Sequence, residues 1–82
     1  MPDAQTLDTL KKNIVARITT IESVEAGVET RLREIGFAEG DEVEALHFGL
    51  FGRNPMSVRL NGALIAMRRR EAACIFVSPI HG

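Results

Sequence analysis

Met56-Ser57-Val58-Arg59-Leu60-Asn61-Gly62-Ala63-Leu64-Ile65-Ala66-Met67 is the most informative run of this chain. An Asn-Gly pair between two apolar runs is a strong short-range signal for a two-residue β-hairpin, because both residues tolerate the positive φ that the turn requires. The turn sets the register. Leu60 opposes Ala63 and Val58 opposes Ile65, so Val58, Leu60, Ala63, Ile65 and Met67 share the buried face while Arg59 and Arg68 point away. The predicted strands are residues 56–60 and 63–68.

Upstream, Glu42 to Phe48 alternates with period two, placing Val43, Ala45 and His47 on one face. Gly49-Leu50-Phe51-Gly52-Arg53-Asn54-Pro55 then reads as a glycine-punctuated loop into the hairpin. Ile14 to Ile21 is rich in β-branched residues and predicts another strand, with Ala16, Ile18 and Thr20 on one face. A turn at Lys12-Asn13 precedes it. Between these strands lies the one good helix signal: Ser23 as N-cap, and Val24, Val28, Leu32 and Ile35 as an apolar stripe. Glu29 and Arg33 stand four apart on the wet face. Gly36 suits a left-handed C-terminal cap, after which Phe37 folds back on Leu32 in a Schellman motif. Downstream, Arg69 to Ala72 reads as a tight or single helical turn, and Cys74 to Val77 as a last strand with Ile75 and Val77 inward.

The expected architecture is mostly β: a small SH3-like barrel of about five strands with one inserted α-helix, whose closure removes exposed sheet edges. Residues 7–78 form the single domain, between a flexible N-terminus (1–6) and a flexible tail (79–82). With 82 residues, 45% of them hydrophobic, the chain supports one small core hiding roughly 60–65% of the unfolded surface. No apolar run approaches the ~20 residues that a membrane-crossing helix needs. No apolar export-signal core follows the first residues, so a cytoplasmic location is expected, and one cysteine, Cys74, forms no internal disulfide.

The net charge of -1 hides an asymmetry. Residues 1–46 hold ten acids and five bases, whereas residues 47–82 hold five arginines and one acid. Such a split marks either a solvated mixed surface or a basic docking face.

These residues together resemble the ferrous iron transport protein A (FeoA) family of small SH3-like barrels. The resemblance runs from about Leu7 to Val77 and is carried by an ordered set of motifs. Arg31-Leu32-x-x-Ile35-Gly36-Phe37 comes first, followed by Gly40 and Val43, then Gly52 and Pro55. Val58-x-Leu60-x-Gly62, Ile65-Ala66-Met67-Arg68 and Glu71-Ala72-x-x-Ile75-x-Val77 complete it. Two positions depart from the pattern: Leu50 stands near where the family often has proline, and Ala45 replaces a commoner valine.

The resemblance implies a cytoplasmic accessory of bacterial Fe(II) uptake, associated with the membrane through its partner, a FeoB-type membrane GTPase transporter. It implies an adaptor or regulator, not an enzyme, and no cofactor, nucleic-acid partner or direct membrane insertion is expected. The same domain occurs as an appendage of iron-dependent transcriptional repressors, which supplies the alternative reading: a regulator module or nucleic-acid-associated protein. Docking needs an exposed apolar patch. The expected patch is Phe48, Leu50, Phe51 and Met56, rimmed by Arg53 and by Arg68, Arg69 and Arg70.

Other chemistry is poorly supported. Gly49-Leu50-Phe51-Gly52 spells the G-x-x-G of KH modules, but that loop joins two helices and this one lies between strands. His47, Cys74 and His81 show no metal-ligand spacing, and Glu39, Asp41, Glu42 and Glu44 read as solvated charges around a turn. No nucleophile has a base placed beside it by sequence. An unpaired terminal strand with outward Phe76 and Cys74 opens a route to edge-to-edge homo-oligomers.

Overall fold

A computed structural model describes residues 5–80, with Arg53 described by its backbone alone. Six antiparallel strands form one sheet: β1 (Gln5–Thr6), β2 (Val15–Ile21), β3 (Glu42–Gly49), β4 (Arg53–Leu60), β5 (Ala63–Met67) and β6 (Ile75–Pro79), in spatial order β1-β6-β2-β3-β4-β5. Helix α1 (Val28–Ile35) joins β2 to β3, and the short α2 (Arg69–Ala72) joins β5 to β6. A single 3-10 turn, Leu7–Thr9, follows β1. That turn packs on α2, and Arg69 reaches Asp8 at 3.8 Å, so the two ends of the sheet are drawn together.

The hairpin β4-β5 has the register that its turn dictates: Leu60 opposite Ala63, Val58 opposite Ile65, Met56 opposite Met67. Asn61 and Gly62 both take positive φ, at 49° and 85°. Val58, Leu60 and Met67 are buried and Ile65 packs half-buried on them, but Ala63, next to the turn, is exposed. The helix exit is a Schellman motif. The Phe37 N–H donates to the Leu32 carbonyl and the Gly36 N–H to that of Arg33, with both Leu32 and Phe37 buried.

Elsewhere the structure departs from the pattern. Gly27 adopts a left-handed φ of 86°, which an α-helix interior does not accommodate, so α1 begins at Val28 and not at Ser23. The Ser23 hydroxyl instead accepts the Glu25 N–H in a local turn, leaving Val24 fully exposed; Ile35 is also largely exposed, and only Leu32 of the expected stripe is fully buried. A bulge between Ile18 and Thr20 switches the phase of β2, so Ile21 takes the inward place expected of Thr20. A second bulge, between Ala45 and His47, turns His47 outward although Val43 and Ala45 are buried.

The chain enters the sheet earlier than expected. Gln5 and Thr6, assigned to the flexible start, pair with Val77 and Phe76. At the other end Pro79 pairs with Ala16, and the Ile80 N–H donates to the Val15 carbonyl. Strand β6 therefore lies between β1 and β2, and Phe76 and Cys74 do not sit on an open edge.

The core gathers Leu7, Leu10, Ile18, Ile21, Leu32, Phe37, Val43, Met56, Val58, Ile75 and their neighbours from every strand but β1. Full burial of each large side chain contributes about 1.5–3 kcal/mol.

Candidate functional site

The β3-β4 connection projects from the barrel as a short tip. Asn54 N–H donates to the Phe51 carbonyl at 3.1 Å, closing a four-residue turn in which Gly52 takes a φ of 63°. Leu50 is 93% and Phe51 86% exposed. Two large apolar side chains facing water side by side expose area that the core cannot use.

The tip is tied down from below. The Arg69 N–H donates to Asn54 Oδ1 at 2.7 Å, and Arg69 Nη1 donates to the Gly52 carbonyl at 3.1 Å. At Gly49 a Cβ would lie 2.0 Å from the Asn54 carbonyl oxygen, so the two arms of the tip touch backbone to backbone. Leu50 and Phe51 are thus held out on a braced support.

The expected docking residues separate into three groups. Leu50 and Phe51 are the exposed pair. Phe48 is half-buried and packs on the core. Met56 is fully buried, opposite Met67, and belongs to the core, not to an exposed patch: it is the first inward-facing residue of β4, and the apolar character that suggested a surface patch serves packing. The Arg53 side chain lies outside the described parts of the chain.

The three consecutive arginines also divide. Arg69 is turned toward Gly52, Asn54 and Asp8 and acts as a brace, with its Nε buried. Arg68 and Arg70 are exposed and line, with Asn54 and Pro55, a shallow cleft of about 380 Å³ beside the tip. Among the described residues neither of these two guanidinium groups forms an ion pair. The tip thus presents Leu50 and Phe51, and the cleft on its Asn54–Pro55 arm presents Arg68 and Arg70.

The remaining charges are mostly consumed internally. Arg59 pairs with Glu44 and Arg17 with Glu42. Arg33 donates through Nε to Glu29 at 3.0 Å and grips Glu39 with both terminal nitrogens, at 2.8 and 2.7 Å. That bidentate hydrogen bond, aided by a backbone donor, holds the Glu39 carboxyl down at about 2. Arg31 pairs with the nearly buried Glu71, whose carboxylate also accepts the Arg68 N–H at 3.0 Å. Three of these pairs join the two halves of the chain, Arg59 with Glu44, Arg69 with Asp8 and Arg31 with Glu71, so the acidic and basic halves interlock in the fold.

Among the described residues no cluster of three or more His, Cys, Asp or Glu is arranged to hold a metal ion. His47 is exposed on β3 and Cys74 is half-buried, its thiol directed to the Arg70 carbonyl; His81 lies outside the described residues. No helix among the described residues is long and apolar enough to cross a membrane.

A family model for the FeoA domain matches residues 5–79. The chain belongs to the FeoA family. FeoA from Chlorobium tepidum is 33% identical, with a TM-score of 0.82 over 95% of this chain and 72% of that one. A zinc complex of FeoA from Stenotrophomonas maltophilia, described as a prokaryotic SH3 domain protein, is 31% identical, with a TM-score of 0.81 over 92% of this chain and 91% of that one. The SH3-like reading of the fold holds, with six strands where five were expected. A manganese-dependent transcriptional repressor shares the fold at a TM-score of 0.85 and 18% identity, over 98% of this chain and 38% of that one. A comparison with curated proteins found no match. FeoA proteins are small accessory domains linked to ferrous iron transport.

Sequence reasoning missed Asn54 as the acceptor that fixes α2, and Arg69 as a brace. A run of three arginines carries no signal for which one turns inward; Asp8 and Gly52, which select Arg69, are remote in sequence.

Proposed function

We propose that this FeoA protein is a cytoplasmic accessory of bacterial ferrous iron uptake that docks its β3-β4 tip on the cytoplasmic GTPase domain of a FeoB-type membrane transporter. The observation that carries the proposal is the braced exposure of Leu50 and Phe51: an apolar pair held in water by hydrogen bonds from Asn54 and Arg69 is organised for contact before a partner arrives. The Stenotrophomonas relative, described in terms of a ferrous iron transport activating factor, supports the same assignment. Docking is non-covalent and involves no catalytic residue of this chain.

Leu50 and Phe51 are the anchors in this reading. Burying one large apolar side chain is worth about 1.5–3 kcal/mol, and hot spots of interfaces are commonly aromatic residues ringed by polar ones. Arg68 and Arg70 supply the ring.

Co-purification from native membranes, comparing the wild type with a Leu50→Ser/Phe51→Ala variant, tests the proposal. Recovery of a polytopic GTPase with the wild type and its loss with the folded variant is the expected result. Equal recovery with both would remove the tip from the interface. Salt-sensitive recovery of DNA or RNA in place of the GTPase would favour the alternative role as a module of an iron-dependent regulator or a nucleic-acid-associated protein.

A further inference from the structure

The sheet has two edges. Among the described residues β1 contributes two, Gln5 and Thr6, at one edge, whereas β5 is five residues long and has no described strand on its outer side. Proteins usually guard such an edge with a charge, a proline or a bulge. Ala63-Leu64-Ile65-Ala66-Met67 has none of these, and its pairing with β4 is regular throughout. Leu64 is 71% exposed, and Ala63 and Ala66 are exposed as well.

The hairpin geometry says which backbone groups face outward. In a two-residue hairpin the residues flanking the turn, Leu60 and Ala63, form a hydrogen-bonded pair, and bonding alternates from there. Ala63, Ile65 and Met67 thus direct their N–H and C=O groups to β4, while Leu64 and Ala66 direct theirs outward. No hydrogen bond from elsewhere in the described chain reaches these outward groups.

We infer that β5 is a strand-pairing surface whose occupant is the β5 strand of a second copy, antiparallel about a two-fold axis at Ile65. This register is self-consistent. Leu64 then faces Ala66 of the other copy, and both present outward N–H and C=O groups, giving four inter-chain hydrogen bonds. On the outer face the large Leu64 side chain lies over the small Ala66 of the other copy, twice, so bulk meets space. Charge does not oppose the contact: each chain carries only -1, and Arg59, the cross-strand neighbour of Leu64, is already paired with Glu44. A five-residue edge buries less than the ~1,200 Å² of a stable specific interface, so the pair forms reversibly at high protein concentration.

Sedimentation and 15N-resolved NMR over a range up to millimolar protein test this inference. The wild type is expected to move toward twice its 9.0 kDa, with concentration-dependent shifts and slowed amide exchange centred on Leu64 and Ala66. Leu64→Lys places a cation on an exposed site of the edge and abolishes the dimer; Ala66→Arg does the same independently should the first variant fold poorly. A wild type that stays monomeric throughout, a dimer whose shifts lie outside residues 63–67, or a dimer that survives both substitutions overturns the inference. The test does not involve the transporter or the tip and stands apart from the docking proposal.

Discussion

The backbone N–H of Arg69 donates to Oδ1 of Asn54 across 2.7 Å, so a side chain of β4 satisfies the first residue of α2, fifteen positions downstream. Helix starts leave N–H groups without partners, and here the acceptor arrives from the tip of a neighbouring hairpin. Asn54→Ala removes it. Loss of a capping acceptor costs about 1 kcal/mol, which lowers the melting temperature of a domain this size by roughly 4–8 °C. Calorimetry with amide exchange at Arg69 checks it: faster exchange localised to Arg69 and the 49–54 turn is expected, and an unchanged rate there would show that the bond braces nothing.

Gly49 and Gly52 frame the same tip but differ in what they tolerate. At Gly49 an added Cβ meets the Asn54 carbonyl oxygen at 2.0 Å and that of Pro55 at 2.8 Å, backbone atoms that cannot swing aside. At Gly52 the surroundings are open, and only the φ of 63° disfavours a side chain. Gly49→Ala is therefore expected to destabilise by about 3 kcal/mol, the upper part of the overpacking range, and Gly52→Ala by about 1 kcal/mol. Urea denaturation of the two variants orders them; the reverse order would refute the close backbone approach at Gly49.

Among the described residues Glu71 is the one charged residue that is buried, set between Arg31 of α1 and the Arg68 N–H at the start of α2. Its partner is unequal, since the Arg31 side chain is 59% exposed and Glu71 only 11%. Glu71→Ala leaves the Arg68 N–H without its acceptor and is expected to cost about 1–3 kcal/mol. Arg31→Ala removes a group that water largely solvates and leaves the Glu71 carboxylate its bond from the Arg68 N–H, so its cost is expected to be smaller and to rise as salt is lowered. A double-mutant cycle by thermal denaturation separates the two; strict additivity would mean that the pair is not coupled.

The sequence was most legible where a local rule had no competitor. Asn61-Gly62 set the β4-β5 register, and Gly36-Phe37 set the helix exit, because both depend on φ preferences within two residues. Legibility failed where one residue shifts the phase. The bulges at Thr19 and Leu46 pass the inward role from Thr20 to Ile21 and turn His47 to solvent, and alternation alone has no marker for an extra residue. Met56 was assigned to the patch of the adjoining loop although it lies in the predicted strand in phase with Val58 and Leu60, and that phase carries it inward opposite Met67. Ser23 has the chemistry of a helix cap, but Gly27 in the left-handed region postpones the helix by a turn. At the tip, the exposure of Leu50 and Phe51 was legible because apolar residues between glycines have no core to join. Arg69 was misjudged because only the tertiary meeting of Asp8, Gly52 and Asn54 distinguishes it from Arg68 and Arg70.

Arg33 ties α1 to the segment leading into β3 by holding Glu29 and Glu39 together, and the hold is legible in a titration. The Arg33 hydrogen bonds, chiefly, keep the Glu39 carboxyl at about 2 instead of its usual 4.5. A carboxyl whose pKa is depressed on folding favours the folded state in its ionised form, so its contribution is complete above 4.5 and is lost as pH falls through about 2. Carbonyl-detected NMR is expected to show Glu39 still ionised at pH 3, where free carboxyls are largely protonated. Arg33→Gln removes the charge and the bidentate donors, and is expected to bring the Glu39 midpoint back toward 4.5 while the acid limb of unfolding moves to higher pH. Because the group lies at the surface, added salt acts in the same direction on the wild type and has little effect on the variant. A Glu39 midpoint near 4.5 in the wild type would mean that the Arg33 clamp is open in solution, and α1 would then be joined to the barrel through the packing of Val28, Leu32 and Phe37 and through the Arg31–Glu71 pair.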